Sequence, residues 1–155
     1  MGIKQNVVAL GANLLLERPV RGKSYRDIRA ELEQAALKIS ARLHEKKTSD
    51  FNHRVLTHII GIERWGQSRL RVFLGEPLQQ DEYTGYRPAR DVPWHELVDL
   101  FIATRSETLS LTLALETAAI APEQTVLHNG YGPLSARAWL RYLQTHASRE
   151  ILQVR

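Results

Sequence analysis

The sequence predicts an all-α protein, an up-and-down four-helix bundle with a long loop between the second and third helices. Four segments repeat apolar residues at spacings of three and four, whereas the alternation typical of strands is scarce. The connection EPLQQDEYTGYRPARDVP (76–93) is long and contains three prolines, and helix bundles often include a long crossing connection. No stretch rich in Gly, Pro or Ser divides the chain, so residues 1–155 are predicted to form a single domain.

Local start and stop signals delimit the four predicted helices. Ser24 and Asp27 resemble a capping box in which Asp replaces Glu. Ser49 and Asp50 are good N-cap residues, and Gly75 lies where a helix commonly ends. The predicted helices cover residues 24–44, 49–75, 91–119 and 132–155.

Composition restricts the classes of function. The 155 residues carry a net charge of +4, with Lys and Arg scattered along the chain, so no nucleic-acid partner is expected. The absence of cysteine excludes disulfides, thiolate ligands and a cysteine nucleophile. The apolar stretch NVVALGANLLL (6–16) lacks the features of a secretory signal. No run approaches the roughly 20 apolar residues of a membrane span, and the expected location is cytoplasmic.

Polar residues fall on the apolar faces of two predicted helices. On the fourth helix, Glu150 projects beside Leu143 and His146 lies at the edge of the same face. The spacing of four places both side chains one turn apart, as when a helix offers two ligands to one metal ion. On the second helix, His58 projects between Ile62 and Trp65. His58, His146 and Glu150 together would make a two-histidine, one-carboxylate set with open coordination positions.

Three segments carry a resemblance to a known family. VLTHIIGIERWGQSRLRVFLGEPL (55–78), DEYTGYRPARDVPWHEL (81–97) and VLHNGYGPLSARAWLRYLQTHASRE (126–150) are similar to the DinB-like family of four-helix bundle proteins, which is named after a DNA-damage-inducible protein. The similarity covers roughly residues 50–153 and is weaker over the first helix. The resemblance implies the bundle fold and a metal site inside it.

The resemblance also implies a ligand set. Members of the family usually hold zinc or nickel with one histidine on the second helix and two histidines four residues apart on the fourth. His58 and His146 match these positions, but the third falls on Glu150, where the chain departs from the family. Glutamate is a harder ligand than histidine and shifts the preference towards manganese or iron. The expected cofactor is therefore a divalent ion of zinc, nickel, manganese or iron.

The activities implied by the resemblance are those of metal-bearing members, which include thiol S-transferases and hydrolase-like proteins. A metal with an open position lowers the pKa of bound water or activates a thiol as its thiolate. The expected substrate is a small molecule. Because this chain has no cysteine, a low-molecular-weight thiol would arrive as a co-substrate. The sequence assigns no general base.

Other interpretations of these residues need no metal. His58 can be a core histidine hydrogen-bonded to a neighbour, and Glu150 can form a buried ion pair with Arg69, which projects onto the core face of the second helix. Glu150 also lies close to the end of the chain, where it can be solvated. On this alternative the protein is a metal-free binding or regulatory module with the same fold.

Two further expectations concern the loop before the last helix and the assembly. The segment HNGYGPLS (128–135) either places His128 or Asn129 near the mouth of the bundle or forms a simple turn. On the second helix, Leu56, Ile60 and Leu74 lie on the side away from His58. A helix that is apolar on two faces indicates a second buried contact, and we expect a symmetric homodimer, which the resemblance also favours.

Overall fold

A computed structural model describes residues 2–155, which are mostly helical. A π-helical turn over Asn13–Glu17 joins the first two helices, and short 3₁₀ turns lie at Tyr83–Tyr86 and Ile151–Gln153. The main elements are α1 (Ile3–Ala12), α2 (Arg18–Val20), α3 (Tyr25–His44), α4 (Asp50–Phe73), α5 (Trp94–Thr117), β1 (Thr125–His128), β2 (Gly132–Ser135) and α6 (Ala136–Glu150). The four predicted helices correspond to α3, α4, α5 and α6, so the all-α fold class is confirmed.

The long helices begin at the polar residues that the sequence favours. At α3, Ser24 Oγ accepts from the Asp27 amide at 3.1 Å and the Ser24 amide donates to Asp27 Oδ2 at 3.0 Å, completing the predicted capping box. Ser49 and Ser135 accept in the same way from amides in the first turns of α4 and α6. Such caps satisfy amides that have no partner inside the helix and each contribute about 1 kcal/mol.

The four long helices pack as a bundle in which α3 and α4 occupy opposite corners. Each of these two helices packs against both α5 and α6. Contacts along α4 advance together with those along α5, from Glu63 with Arg105 to Arg71 with Glu107. Helices α4 and α5 therefore run in the same direction.

Helix α6 runs the opposite way to α4. Its His146 meets His58, while Arg155, beyond its end, meets Asn52 near the start of α4. The end of α3 lies beside the end of α6, since Arg42 donates to the carbonyl oxygens of Ile151 and Val154. Helices α3 and α6 are thus parallel, and both are antiparallel to α4 and α5.

The predicted alternation of helix directions is wrong at the connection from α4 to α5. An up-and-down bundle requires α5 to run opposite to α4, but the order of directions is up, down, down, up. A parallel neighbour can be reached only by a connection that returns along the whole of α4, about 36 Å for its 24 residues. Residues 74–93 make that return, which explains the long crossing segment in physical terms.

Two elements were not predicted from the sequence. Residues 3–20 are helical almost throughout, with Leu16 and Val20 buried and Val7 and Leu10 exposed. Residues 125–128 and 132–135 form an antiparallel hairpin in which Val126 pairs with Leu134. The carboxylate of Glu17 accepts from the amide and the hydroxyl of Ser135, each at 2.8 Å, and so ties the N-terminal helical segment to the hairpin.

The observation that suggested a homodimer has an explanation within one chain. Leu56 and Ile60 are fully buried by the other helices of the bundle, in a cluster that includes Leu97 and Phe101. Leu74 remains 38% exposed. The second apolar face of α4 is therefore largely covered by the chain itself, and the homodimer stays a prediction without this support. Among residues 2–155, no helix is both long and apolar enough to cross a bilayer.

Candidate functional site

Two of the three predicted site residues meet between α4 and α6. His58 Nε2 and His146 Nε2 are 3.1 Å apart, and the ring centroids are separated by 5.0 Å. Because α4 and α6 are antiparallel neighbours, residues far apart in the sequence reach the same level of the bundle. One ring donates and the other accepts in this hydrogen bond, which requires at least one neutral imidazole.

Two glycines on α4 allow neighbouring segments to approach this pair. A Cβ at Gly66 would lie 2.4 Å from Leu143 Cδ2, so any side chain here would force Leu143 of α6 to shift. A Cβ at Gly61 would lie 2.6 Å from Arg87 Cγ and 3.3 Å from the Tyr83 carbonyl oxygen. Glycine within a helix costs about 1 kcal/mol relative to alanine, a cost offset here by close packing on both sides of the site.

Burial keeps both histidines neutral near physiological pH. Desolvation, together with the neighbouring His58 and Arg149, lowers the pKa of His146 to about 3. Desolvation also lowers the pKa of His58, while the charge of Glu150 acts to raise it and that of Arg87 to lower it. Neutral imidazoles have a free nitrogen lone pair, which is the form that binds metal ions.

Tyr83, from the crossing segment, covers one side of His58. Its ring lies edge-on to the imidazole, with centroids 5.0 Å apart. The close approach at Gly61 brings the carbonyl of the same tyrosine against α4. The crossing segment therefore does two things: it returns the chain along α4 and it forms a wall of the histidine site.

Glu150 lies beside the histidine pair with its carboxylate turned to other partners. Its Oε1 is 3.4 Å from Arg149 Nε, and its Oε2 accepts from the Gln153 side chain. The side chain is 18% exposed. Glu150 is therefore only partly solvated, although it lies close to the end of the chain. Its effect on the pKa of His58 is electrostatic.

The proposed ion pair between Arg69 and Glu150 is wrong. Arg69 is buried, and its Nη1 lies 2.9 Å from Asp81 Oδ1 in the crossing segment. Burial alone would raise the pKa of Asp81, but hydrogen bonds from Tyr86 and Arg69 outweigh it and hold the pKa below its usual value. The buried guanidinium is thus paired with a loop carboxylate and is independent of the histidine site.

His128 lies at the end of β1, and its side chain is buried among aromatic rings, not at an open mouth of the bundle. The rings of Trp139 and Tyr142 are centred 4.9 and 4.6 Å from it, and desolvation lowers its pKa to about 4. Its Nδ1 accepts from the amides of Gly130 and Tyr131, which places the proton on Nε2. In this tautomer the remaining nitrogen has no lone pair for a metal. His128 therefore stabilises the hairpin turn through its hydrogen bonds.

Asn129, the other residue considered at the mouth, contacts the crossing segment. Its side-chain amide donates to the carbonyl oxygen of Asp81 at 3.0 Å and to the carboxylate of Glu82 at 2.8 Å. The hairpin turn and the crossing segment are therefore held together next to Arg69. The turn interpretation of this loop agrees with these contacts.

The geometry of the histidine pair fits two corners of a metal site. Two nitrogens bound to one tetrahedral zinc ion are about 3.3 Å apart when each bond is 2.0–2.1 Å long, close to the 3.1 Å between the two Nε2 atoms. Within the described part of the chain, no three His, Cys, Asp or Glu side chains are arranged together as a metal-binding group. The third ligand would require Glu150 to exchange its contacts with Arg149 and Gln153 for the ion.

A second buried polar cluster on α4 was missed by the sequence analysis. Glu63 accepts from Arg105 Nε at 2.5 Å, from Arg105 Nη2 at 2.9 Å and from Thr108 Oγ1 at 2.8 Å. Gln67 donates to the Thr104 carbonyl and to Thr108 Oγ1. The sequence signal for this cluster is the inward projection of Glu63 and Arg105 on their helices. Neither residue belongs to the predicted metal-ligand set.

Comparison with protein-family models, with characterised proteins and with solved structures finds no match to this chain.

Proposed function

We propose that this chain is a DinB-like four-helix bundle protein and a metal-dependent enzyme that acts on a small molecule. The reaction class is that of a thiol S-transferase or a hydrolase-like protein, with the divalent ion held by His58, His146 and Glu150. The observation that carries the proposal is the convergence of two neutral imidazole nitrogens, 3.1 Å apart, from two different helices.

The chain's own residues would divide the work in a simple way. His58 and His146 would hold the ion through Nε2, and Glu150, one turn from His146, would add a negative charge beside it. An ion held there would supply Lewis-acid chemistry, which lowers the pKa of water or of a thiol. Tyr83 beside His58 and the half-buried Tyr142 beside His146 would limit the access of water to the pair.

A metal-free binding or regulatory module is the second candidate, and one observation favours it. The direct hydrogen bond between His58 and His146 satisfies one nitrogen of each ring without an ion. The buried charges of the fold are also paired internally, as Glu63 with Arg105 and Arg69 with Asp81. In this case the two histidines serve packing, and the protein acts through its surface.

Elemental analysis of untagged protein separates the two candidates. The enzyme proposal predicts about one divalent ion per chain after dialysis, with affinity for zinc or manganese reduced by more than about tenfold in His58→Gln and His146→Gln. His95→Gln is the matched control, because His95 is 78% exposed and lies outside the site. Unfolding curves of each variant confirm that it is folded.

Metal-free protein that takes up neither zinc nor manganese in a titration would overturn the enzyme proposal. Equal loss of metal in His95→Gln and His58→Gln would also contradict it, since the ion would then be bound nonspecifically. Full occupancy retained in Glu150→Gln would leave the histidine pair in place and remove Glu150 from the ligand set.

A further inference from the structure

A cleft in the described chain lies close to the histidine pair, between the start of α4 and the crossing segment. It has a volume of about 930 Å³ and is lined by residues 48–50, 53–54 and 57 on one side and 84 and 87–90 on the other. This volume falls within the range of small-molecule sites, roughly 300–1,000 Å³. The cleft adjoins the site because Thr57 and Thr84 line it, while their neighbours His58 and Tyr83 contact each other.

The lining of the cleft is strongly basic. Arg54, Arg87 and Arg90 face it, whereas Asp50 is its one acidic residue. Among the ion pairs formed within residues 2–155, none includes any of these three arginines. Three arginines that line one cleft without carboxylate partners make its potential positive, and a bound anion would neutralise part of that charge.

Arg87 is held in place with part of its guanidinium still available. It is half-buried, and its Nη2 donates to the Arg54 carbonyl at 3.0 Å and to Thr57 Oγ1 at 2.8 Å. In the part of the chain that the structure describes, neither its Nε nor its Nη1 donates to a protein acceptor. A guanidinium fixed at one nitrogen loses little freedom when its other donors bind an oxyanion, so binding is favoured.

The shape and composition of the cleft favour a small ligand. Single-stranded nucleic acids are usually held by aromatic side chains on which bases stack, but no Phe, Tyr or Trp is among the lining residues. The three arginines of the cleft line one concave site. A small molecule with a carboxylate or phosphate group fits both features.

We propose that this cleft is a binding site for a small organic anion, in which Arg54, Arg87 and Arg90 hold a carboxylate or phosphate group. The site needs no metal, so it stands or falls separately from the histidine pair. Carboxylates and phosphates can both accept two parallel hydrogen bonds from one planar guanidinium group. The anion would lie in the cleft, against the side that the crossing segment forms next to His58.

Calorimetric titration of the full chain with inorganic phosphate and, separately, with succinate tests the proposal. Saturable binding at a single site is expected for at least one of the two, and the pattern shows whether phosphate or carboxylate is preferred. The double variant Arg54→Gln/Arg90→Gln should bind at least about tenfold more weakly, because each charge-assisted hydrogen bond is worth about that factor. Both arginines are exposed, so the variant is expected to fold, and a thermal melt checks this.

Arg26→Gln is the matched control, because Arg26 is an exposed arginine in the first turn of α3, at the opposite end of the bundle from the cleft. Its affinity for both anions should equal that of the unaltered chain. The proposal is overturned if neither anion binds saturably at about 10 mM, or if the control loses as much affinity as the double variant. Tighter, arginine-dependent binding of a single-stranded oligonucleotide would also overturn it, since the ligand would then be a nucleic acid.

Discussion

Helix α4 presents two buried polar clusters to two different neighbours, and they are built on opposite principles. Towards α5, the carboxylate of Glu63 accepts three hydrogen bonds from Arg105 and Thr108, and Arg105 also donates to the Leu32 carbonyl. Towards α6, His58 and His146 share a single hydrogen bond. The first cluster is charged and saturated, whereas the second is neutral and leaves nitrogens unused.

This difference indicates which cluster maintains the fold and which can bind a ligand. A buried charge is tolerated only when all its partners are present, so the Glu63 cluster has no free position to offer. A neutral imidazole pair costs less to bury, and its one hydrogen bond can be exchanged for the binding of an ion through both Nε2 atoms. Functional interest therefore centres on the α6 side of α4, and the α5 side acts as its support.

Breaking the saturated cluster should have the largest effect on stability. Arg105→Met leaves the Glu63 carboxylate buried without its cation, which is expected to lower the free energy of unfolding by about 3–5 kcal/mol. Urea denaturation followed by circular dichroism measures the change. The double variant Glu63→Met/Arg105→Met should recover most of the loss, because neither buried charge remains.

Arg71→Met is the matched control for that experiment. Arg71 lies on the same interface and pairs with Glu107, but the two side chains are 32% and 47% exposed. Loss of such an exposed pair changes stability by at most about 1 kcal/mol. Equal destabilisation by Arg71→Met and Arg105→Met would show that burial does not distinguish the two pairs.

Lowering the pH should reduce the stability that the buried, neutral His58 and His146 contribute. The pKa of His146 is lowered by burial from 6.5 to about 3, and that of His58 is lowered as well. Below about pH 6.5 the unfolded chain binds protons that the folded chain excludes, so this contribution is complete above pH 6.5 and is lost as the pH falls. Each such histidine contributes a slope of about 1.4 kcal/mol per pH unit.

Urea unfolding at a series of pH values between 4 and 7 measures the slope. His146→Gln should reduce it by about one histidine's share, whereas His95→Gln, at a 78% exposed position, should leave it unchanged. His128, with a pKa of about 4, adds to the slope of all three proteins equally. Identical slopes for the unaltered chain and His146→Gln would contradict burial of His146 as a neutral group.

The helix starts were predictable because they depend on a few neighbouring residues. Ser24, Ser49 and Ser135 cap their helices by local geometry that the sequence states directly. The hairpin escaped prediction because its strands have only four residues each, too short for a periodic signal. Helix α1 escaped because its exposed valines and leucines hide the polar face of an ordinary surface helix.

Pairing between elements could be inferred only where the chemistry was specific. The apolar faces predicted only that His58 and His146 each point inward, and the family resemblance supplied the expectation that they meet. Arg69 was assigned the wrong carboxylate, because charge complementarity alone does not distinguish Glu150 from Asp81. The direction of α5 was also missed, since only the register of Arg105 against Glu63 shows it, and that register depends on the path of residues 74–93.

The smallest expected effect lies at the border of the neutral cluster. Glu150→Gln removes the charge that raises the pKa of His58, so the pKa of His58 should fall in metal-free protein. Stability should change by at most about 1 kcal/mol, because Arg149, the ion-pair partner of Glu150, is 72% exposed and solvent screens the interaction. Proton NMR titration of the histidine resonances measures the shift, with Glu33→Gln on α3 as the control. An unchanged or raised pKa of His58 would place the Glu150 carboxylate outside the reach of the histidine pair and weaken its assignment as a third ligand.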